Sequence, residues 1–220
     1  MVPEEFYIKK DAKEENMGKK SIENRCKYPA IEIKKKTGNE QFLNAGSDVC
    51  TIRDFWAWAY SDLIGNTERG RLAEFIVAMA LGITEGISVS WDKYDLLSKE
   101  GIRVEVKTSA YLQAWNQQNL SKISFDIQPT YGWDSITNEY DTEQKRQSDV
   151  YVFCVLKHID QATLNPLDLS QWEFYVLPTA VLNKAVPGQK TISLNKLLNI
   201  GAKKCGYDVL YKTIKHEAAH

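Results

Sequence analysis

Asp95 and Glu105 lie ten positions apart, and Lys107 comes two positions after the second acid, in the stretch Tyr94-Asp95-Leu96-Leu97-Ser98-Lys99-Glu100-Gly101-Ile102-Arg103-Val104-Glu105-Val106-Lys107. With Lys99-Glu100-Gly101 as the turn of a tight hairpin, Gly101 takes the left-handed position that such turns favour. Ser98 then faces Ile102, and Asp95 falls opposite Glu105. Residues opposed across an antiparallel pair share a face, with Cβ atoms roughly 5 Å apart. Two carboxylates so close repel unless something positive lies between them. Mg2+ suits that place, since it takes oxygen ligands at about 2.1 Å and keeps several waters. Lys107 projects from the same face one pleat further on. An ammonium there can steer a metal-bound water toward a phosphorus atom or balance charge in a transition state. Asp92 is a rival ligand, but its odd spacing from Asp95 turns it to the opposite face of a regular strand.

An acid-x-Lys triplet alone means little, because Asp11-Ala12-Lys13, Glu32-Ile33-Lys34 and Glu143-Gln144-Lys145 occur in the same chain. The triplet at 105 differs in context. Ile102, Val104 and Val106 alternate with Arg103, Glu105 and Lys107, as in a strand with one buried face. An acid stands opposite on a matched hairpin, and a preceding helix carries Glu74 off its apolar stripe.

Several elements must position these groups. Thr51-Ile52-Arg53-Asp54 has capping-box spacing and opens a helix in which Ile52, Phe55, Trp56, Ala59 and Leu63 recur at helical intervals, with Gly65 as its stop. A second helix runs from about Thr67 to Leu81, ending at Gly82, with Leu72, Phe75, Ile76 and Met79 as its buried stripe and Glu68, Arg71 and Glu74 away from it. Ile87–Trp91 and Lys122–Ile127 alternate as strands. Asp149–Leu156 and Trp172–Leu177 read as buried strands, separated by a turn at Asn165–Asp168. The polar stretch 129–148 reads as a long loop with a short helix. Ser193–Asn199 and Tyr207–Lys215 read as closing helices. Residues 1–48 are polar and mixed in charge, with a short strand at Ile31–Ile33, and read as an N-terminal extension or arm. Residues 49–220 then form a single domain.

The chain has 220 residues, 43% hydrophobic and 26% charged, which suits a soluble globular protein with one sizeable core. Its longest apolar stretch, Phe75 to Gly82, is too short to span a bilayer, and no apolar leader follows the N-terminus. Cys26, Cys50, Cys154 and Cys205 lie far apart without zinc-site spacing, which fits reduced thiols in the cytoplasm. Cys154 reads as a core filler. The net charge of −1 excludes a basic nucleic-acid coat. It leaves room for a metal-dependent nuclease, whose cation supplies part of the phosphate affinity.

The order of these parts resembles the PD-(D/E)XK nuclease superfamily, the restriction-endonuclease-like fold: a helix with Glu74, a hairpin with Asp95, the strand Val104-Glu105-Val106-Lys107, then further strands. The likeness covers roughly residues 67–180. It implies an α/β restriction-endonuclease-like core, a central mixed β-sheet flanked by α-helices. By motif position Asp95 matches the first acid, Glu105 the second and Lys107 the lysine, while Glu74 matches the acid on the first core helix of many members. Tyr94 stands where the name-giving proline would be.

The expectation is therefore a Mg2+-dependent endonuclease, with Mn2+ as a substitute, that hydrolyses DNA. Asp95 and Glu105 would hold the metal with the carbonyl of Val106, Lys107 would orient or help deprotonate the water, and Glu74 would bind a second cation or a metal-bound water. A homodimer would serve if both strands are cut. The alternative is a catalytically inactive module of the same fold that binds nucleic acid or protein, with the Trp-rich helix near residue 56 as its contact surface. Two other features have bland readings beside functional ones. Tyr111–Gln118 is an exposed loop or a nucleic-acid contact. His216 and His220, four apart at the chain end, lack a third ligand.

Overall fold

A computed structural model describes residues 28, 31–88, 93–134 and 137–219. Its centre is set by two strands that are apolar throughout. Strand β8 (Val150–Leu156) and strand β9 (Trp172–Pro178) pair antiparallel, and both their faces are covered, which is why neither shows an apolar/polar alternation. Strand β4 (Arg103–Ala110) pairs parallel with β8, and the two-residue β3 (Leu96–Leu97) pairs antiparallel with β4. On the far edge β11 (Lys203–Cys205) pairs antiparallel with β9. The result is a mixed five-stranded sheet in the order β11-β9-β8-β4-β3.

Each face carries its own apolar layer. On one, Val104, Val106, Val152 and Phe174 meet Ala73, Ile76, Val77 and Leu81 of one helix and Leu210 and Ile214 of another. On the other, Tyr151, Phe153, Val155 and Leu177 meet Phe125, Leu182, Ile192 and Leu197. The architecture is α/β, a central mixed sheet flanked by helices, as the sequence leads one to expect.

In chain order, a hairpin β1 (Gln41–Asn44) and β2 (Ser47–Thr51) leads into α1 (Ile52–Ala59), which opens on the expected capping box between Thr51 and Asp54. None of its residues is buried, and Trp58 is 85% exposed, so its aromatic residues form no core here. Gly65 does not stop α1; it caps the start of α2 (Asn66–Leu81). Helix α2 ends as expected at Gly82, in the left-handed conformation with φ +65°. Its buried stripe is Ala73, Ile76, Val77 and Leu81, and Phe75 and Met79 instead face outward. Small residues let the helix lie close on β4.

After β4 come β5 (Ser124–Asp126), β6 (Thr130–Asp134) and β7 (Glu139–Lys145). β6 and β7 form an antiparallel ribbon where a loop with a short helix is expected. The chain closes with α3 (Thr179–Ala185), β10 (Thr191–Ser193), α4 (Leu194–Asn199) and α5 (Tyr207–Glu217). β10 pairs with β5, laying that hairpin over the second face. Residues 31–33 form no strand, and most of the strand expected at Ile87–Trp91 lies outside the described residues, as do Asp92, Cys26 and His220. Among the described residues, no helix is long and apolar enough to cross a membrane.

Candidate active site

The hairpin that carries the acids folds in the anticipated register. Leu96 opposes Val104 and Leu97 opposes Arg103, which extends to Asp95 opposite Glu105. The turn closes through Ser98 and Ile102: the Ser98 N–H donates to the Ile102 carbonyl at 2.9 Å, and the Gly101 N–H to the Ser98 carbonyl at 3.0 Å. Gly101 sits at φ +83°, a conformation that side chains with a Cβ resist. Ser98 is buried, and its hydroxyl accepts from the N–H groups of Glu100 and Ile102, which fixes the turn from inside.

β3 is so short that the edge of β4 at Val106 has no strand beside it. Asp95 fills that place. Its Oδ2 accepts from the Val106 N–H at 2.7 Å, so the carboxylate turns in against the strand edge instead of standing out from the ribbon. The Val106 carbonyl leaves the strand by the same edge. Glu105 and Lys107 project from the sheet face that also carries Tyr151 and Phe153, their parallel neighbours on β8. Lys107 Nζ donates to Glu105 Oε1 at 2.7 Å, and both side chains are mostly buried. Glu74 comes from α2, bridged to Arg71 at 3.0 Å.

The electrostatics show that these groups act on one another. Burial, and next the charge of Asp95, push the Glu105 carboxyl above its ordinary range, against the pull of Lys107. Burial raises Asp95 as well, opposed by the Val106 N–H and by Lys107. Glu74 is raised by burial and by Asp95. For Lys107, burial works against the ammonium, but Glu105, Asp95 and Asp126 outweigh it and the net shift is upward. The four side chains singled out in the sequence thus share one electrostatic neighbourhood of three acids and one cation.

A cleft of about 140 Å³ opens beside them, lined by Asp95, Glu105 and Lys107 on one side and by Lys93, Asp126 and Gln147 among others opposite. Sequence reasoning passed over this second wall. Asp126 carried a usable signal, because alternation with Phe125 and Ile127 turns it off the core. Tyr151 and Gln147 carried none, since their place depends on the parallel register of β8 on β4. The Tyr151 phenol is buried and raised further by the charge of Glu105, so it stays protonated. Arg146 is 7% exposed and donates to the carbonyls of Ile127 (2.8 Å) and Val186 (3.0 Å) and to Asn183 Oδ1 (2.7 Å), tying the cleft wall to the end of α3.

Asp95 spends one oxygen on Val106 and Glu105 one on Lys107, which leaves Asp95 Oδ1 and Glu105 Oε2 for another ligand. Two carboxylate oxygens and a strand-edge carbonyl suit a hard cation that keeps waters. Among the described residues no three His, Cys, Asp or Glu side chains are gathered to hold an ion alone. His216 lies 3.9 Å from Glu217 on α5, a helix that packs on the opposite face of the sheet.

A family model described as bacteriophage T4 endonuclease IV matches residues 27–196, which include the whole cluster from Glu74 to Lys107. No curated protein matches the chain.

Proposed function

The chain belongs to the bacteriophage T4 endonuclease IV family, and from that premise we propose that it is a Mg2+-dependent DNA endonuclease working through a PD-(D/E)XK-type site. The observation that carries this reading is the buried cluster itself. Burial raises both carboxyls, and the charge of Asp95 raises Glu105 further, an arrangement that a cation would relieve. Asp95, Glu105 and the Val106 carbonyl would hold Mg2+, with Mn2+ as a substitute. When bound, the cation supplies Lewis acidity to a phosphoryl oxygen and acidifies water.

The chain's own residues do the rest. Lys107 is kept as an ammonium by its acidic neighbours in the metal-free site, and beside a bound cation it would orient the attacking water or help deprotonate it. Water gives up a proton as it adds to phosphorus in line, the opposite P–O bond breaks, and the departing oxygen takes up a proton from solvent. Glu74, at the cluster's margin, would hold a second cation or a metal-bound water, with Arg71 setting its carboxylate.

Nicking of supercoiled plasmid tests this directly. Wild type should act with Mg2+ or Mn2+ and not in EDTA. Glu105→Ala and Lys107→Ala should each lower the rate by at least about a hundredfold. If plasmid, linear duplex and single-stranded DNA all stay intact with either metal, the inactive binding module replaces the nuclease.

A further inference from the structure

The loop between β4 and β5, residues 111–123, belongs to neither apolar layer's helices yet is braced by its own hydrogen bonds. Its base is closed by the Ser121 N–H donating to the Tyr111 carbonyl at 2.9 Å. Two glutamines brace it from within. Gln117 Oε1 accepts from the Gln113 N–H at 2.7 Å, and Gln117 Nε2 donates to the Tyr111 carbonyl (3.1 Å) and to Ser121 Oγ (3.0 Å). Gln113 Nε2 donates to the Ala110 carbonyl at 2.8 Å. Leu112 and Ile123, each 6% exposed, anchor the two ends in the protein. All this bracing presents Trp115, which is 56% exposed. A large indole held in water by a pre-ordered loop has no folding rationale. It does fit a contact surface, because ordering costs have been met before a ligand arrives.

Three observations point to what that ligand is. The loop joins two of the strands that line the cleft, β4 through Lys107 and β5 through Asp126. From Lys107 to Ala110 the strand covers only about 10 Å at about 3.3 Å per residue. Second, no Asp or Glu occurs between Glu105 and Asp126, although acids outnumber bases by one in the chain as a whole. Third, a buried guanidinium lies behind the loop. Arg69, 3% exposed, donates to Gln113 Oε1 (3.4 Å), the Ile64 carbonyl (2.7 Å) and Asn66 Oδ1 (2.6 Å), with Asp62 as the acid whose charge acts on it. An acid-free loop does not repel a phosphate chain, and an exposed indole offers a face to a base.

We propose that residues 111–123 form a preformed base-stacking finger, in which Trp115 stacks on one unpaired nucleobase of the strand whose phosphate occupies the cleft. The idea rests on the nuclease reading and adds to it a contact outside the reacting atoms. Stacking of this kind tolerates any base, since every base has a π face.

The test is a binding cycle in EDTA, by fluorescence anisotropy, with a labelled single DNA strand and a set of strands carrying one abasic site at successive positions. Wild type should lose affinity about fivefold to a hundredfold at one abasic position and much less at its neighbours. Trp115→Ala should lose a similar factor on the intact strand and show no further loss at that position, while Trp115→Phe keeps most of the affinity. Equal binding of the intact strand by wild type and Trp115→Ala overturns the finger. So does a Trp115→Ala loss that is independent of every abasic position. Plasmid nicking separates the two failures: a protein that nicks DNA but fails the cycle loses only the finger, and one that neither binds nor nicks loses both.

Discussion

Asp95 contributes opposite things to folding and to binding. Its carboxylate is withdrawn from water, so the ionised form is disfavoured in the native state even though the Val106 N–H, Lys107 and Arg71 favour it. A carboxyl whose folded pKa lies above its unfolded one stabilises the protein fully below the unfolded pKa, and that contribution is lost as pH rises through the folded pKa. Asn at this position keeps an oxygen for the Val106 N–H and carries no charge. Asp95→Asn should therefore melt higher than wild type at neutral pH in EDTA. The advantage should shrink as the pH falls through the raised folded pKa and be gone once it lies below the ordinary carboxylate value, and Mg2+ should narrow or reverse it by stabilising wild type alone. Thermal melts across pH, with and without metal, read this out. An Asp95→Asn protein that melts lower at neutral pH without metal would show that hydrogen bonding to Val106, and not buried charge, dominates at this residue. The same raised acids bear on metal uptake. Protons compete with the cation for Glu105 and Asp95, so the midpoint of Mn2+ binding against pH, followed by calorimetry, should lie above that of an isolated carboxylate.

Among the elements, the ribbon β6–β7 is tied to the cleft through the close packing at Gly132. A Cβ on Gly132 would come within 2.5 Å of Asp141 Oδ2 and 3.0 Å of both Gln147 Nε2 and Lys93 Cδ. Lys93 in turn bridges Asp141 at 3.0 Å, and Gln147 Nε2 donates to the Thr130 carbonyl at 3.3 Å. Gly132→Ala should push Lys93 and Gln147 out of place, at a cost of about 1–3 kcal/mol in stability. Chemical denaturation measures the loss, and a variant as stable as wild type would mean that the ribbon simply swings aside. This ribbon also marks where the sequence stopped being readable. Strand β7 is polar apart from Tyr140, β6 offers only Tyr131 and Trp133 in alternation, and the pairing is irregular between those two, so little distinguished the ribbon from a loop. Strands β8 and β9 were readable because burial on both faces leaves unbroken apolar runs. The β3–β4 hairpin was readable because one glycine and one alternation fix its register locally. Helix α2 misled in its facing, since Leu72, Phe75, Ile76, Val77 and Met79 wrap around more than one side and only packing on β4 selects among them. The acids could be found from local spacing. Their opposite wall could not, because it is delivered by a parallel crossover whose register no short stretch encodes.

At the scale of the whole molecule, the proposed function places a cation where like charges crowd. The chain is nearly neutral overall, and the cleft gathers Asp95, Glu105 and Asp126 against Lys93, Lys107 and the buried Arg146, with Glu74 at the margin. A phosphate reaching Asp95 and Glu105 without metal meets two carboxylates at short range. Unit charges about 4 Å apart interact by about 1 kcal/mol in water and about 4 kcal/mol near a protein surface, so removing two acids should be felt clearly. The double variant Asp95→Asn, Glu105→Gln should accordingly bind a DNA strand more tightly than wild type in EDTA, by roughly fivefold or more at low salt. With Mg2+ the order should invert, because only wild type keeps the two carboxylates that would hold the cation. Anisotropy titrations at fixed ionic strength check both halves, and the inversion is the part that matters. A protein whose DNA affinity is indifferent to both the acids and the metal would bind its ligand elsewhere. The buried cluster of Asp95, Glu105 and Lys107 would then be an internal ion pair with a spare acid, and the hairpin that builds it would serve only the fold.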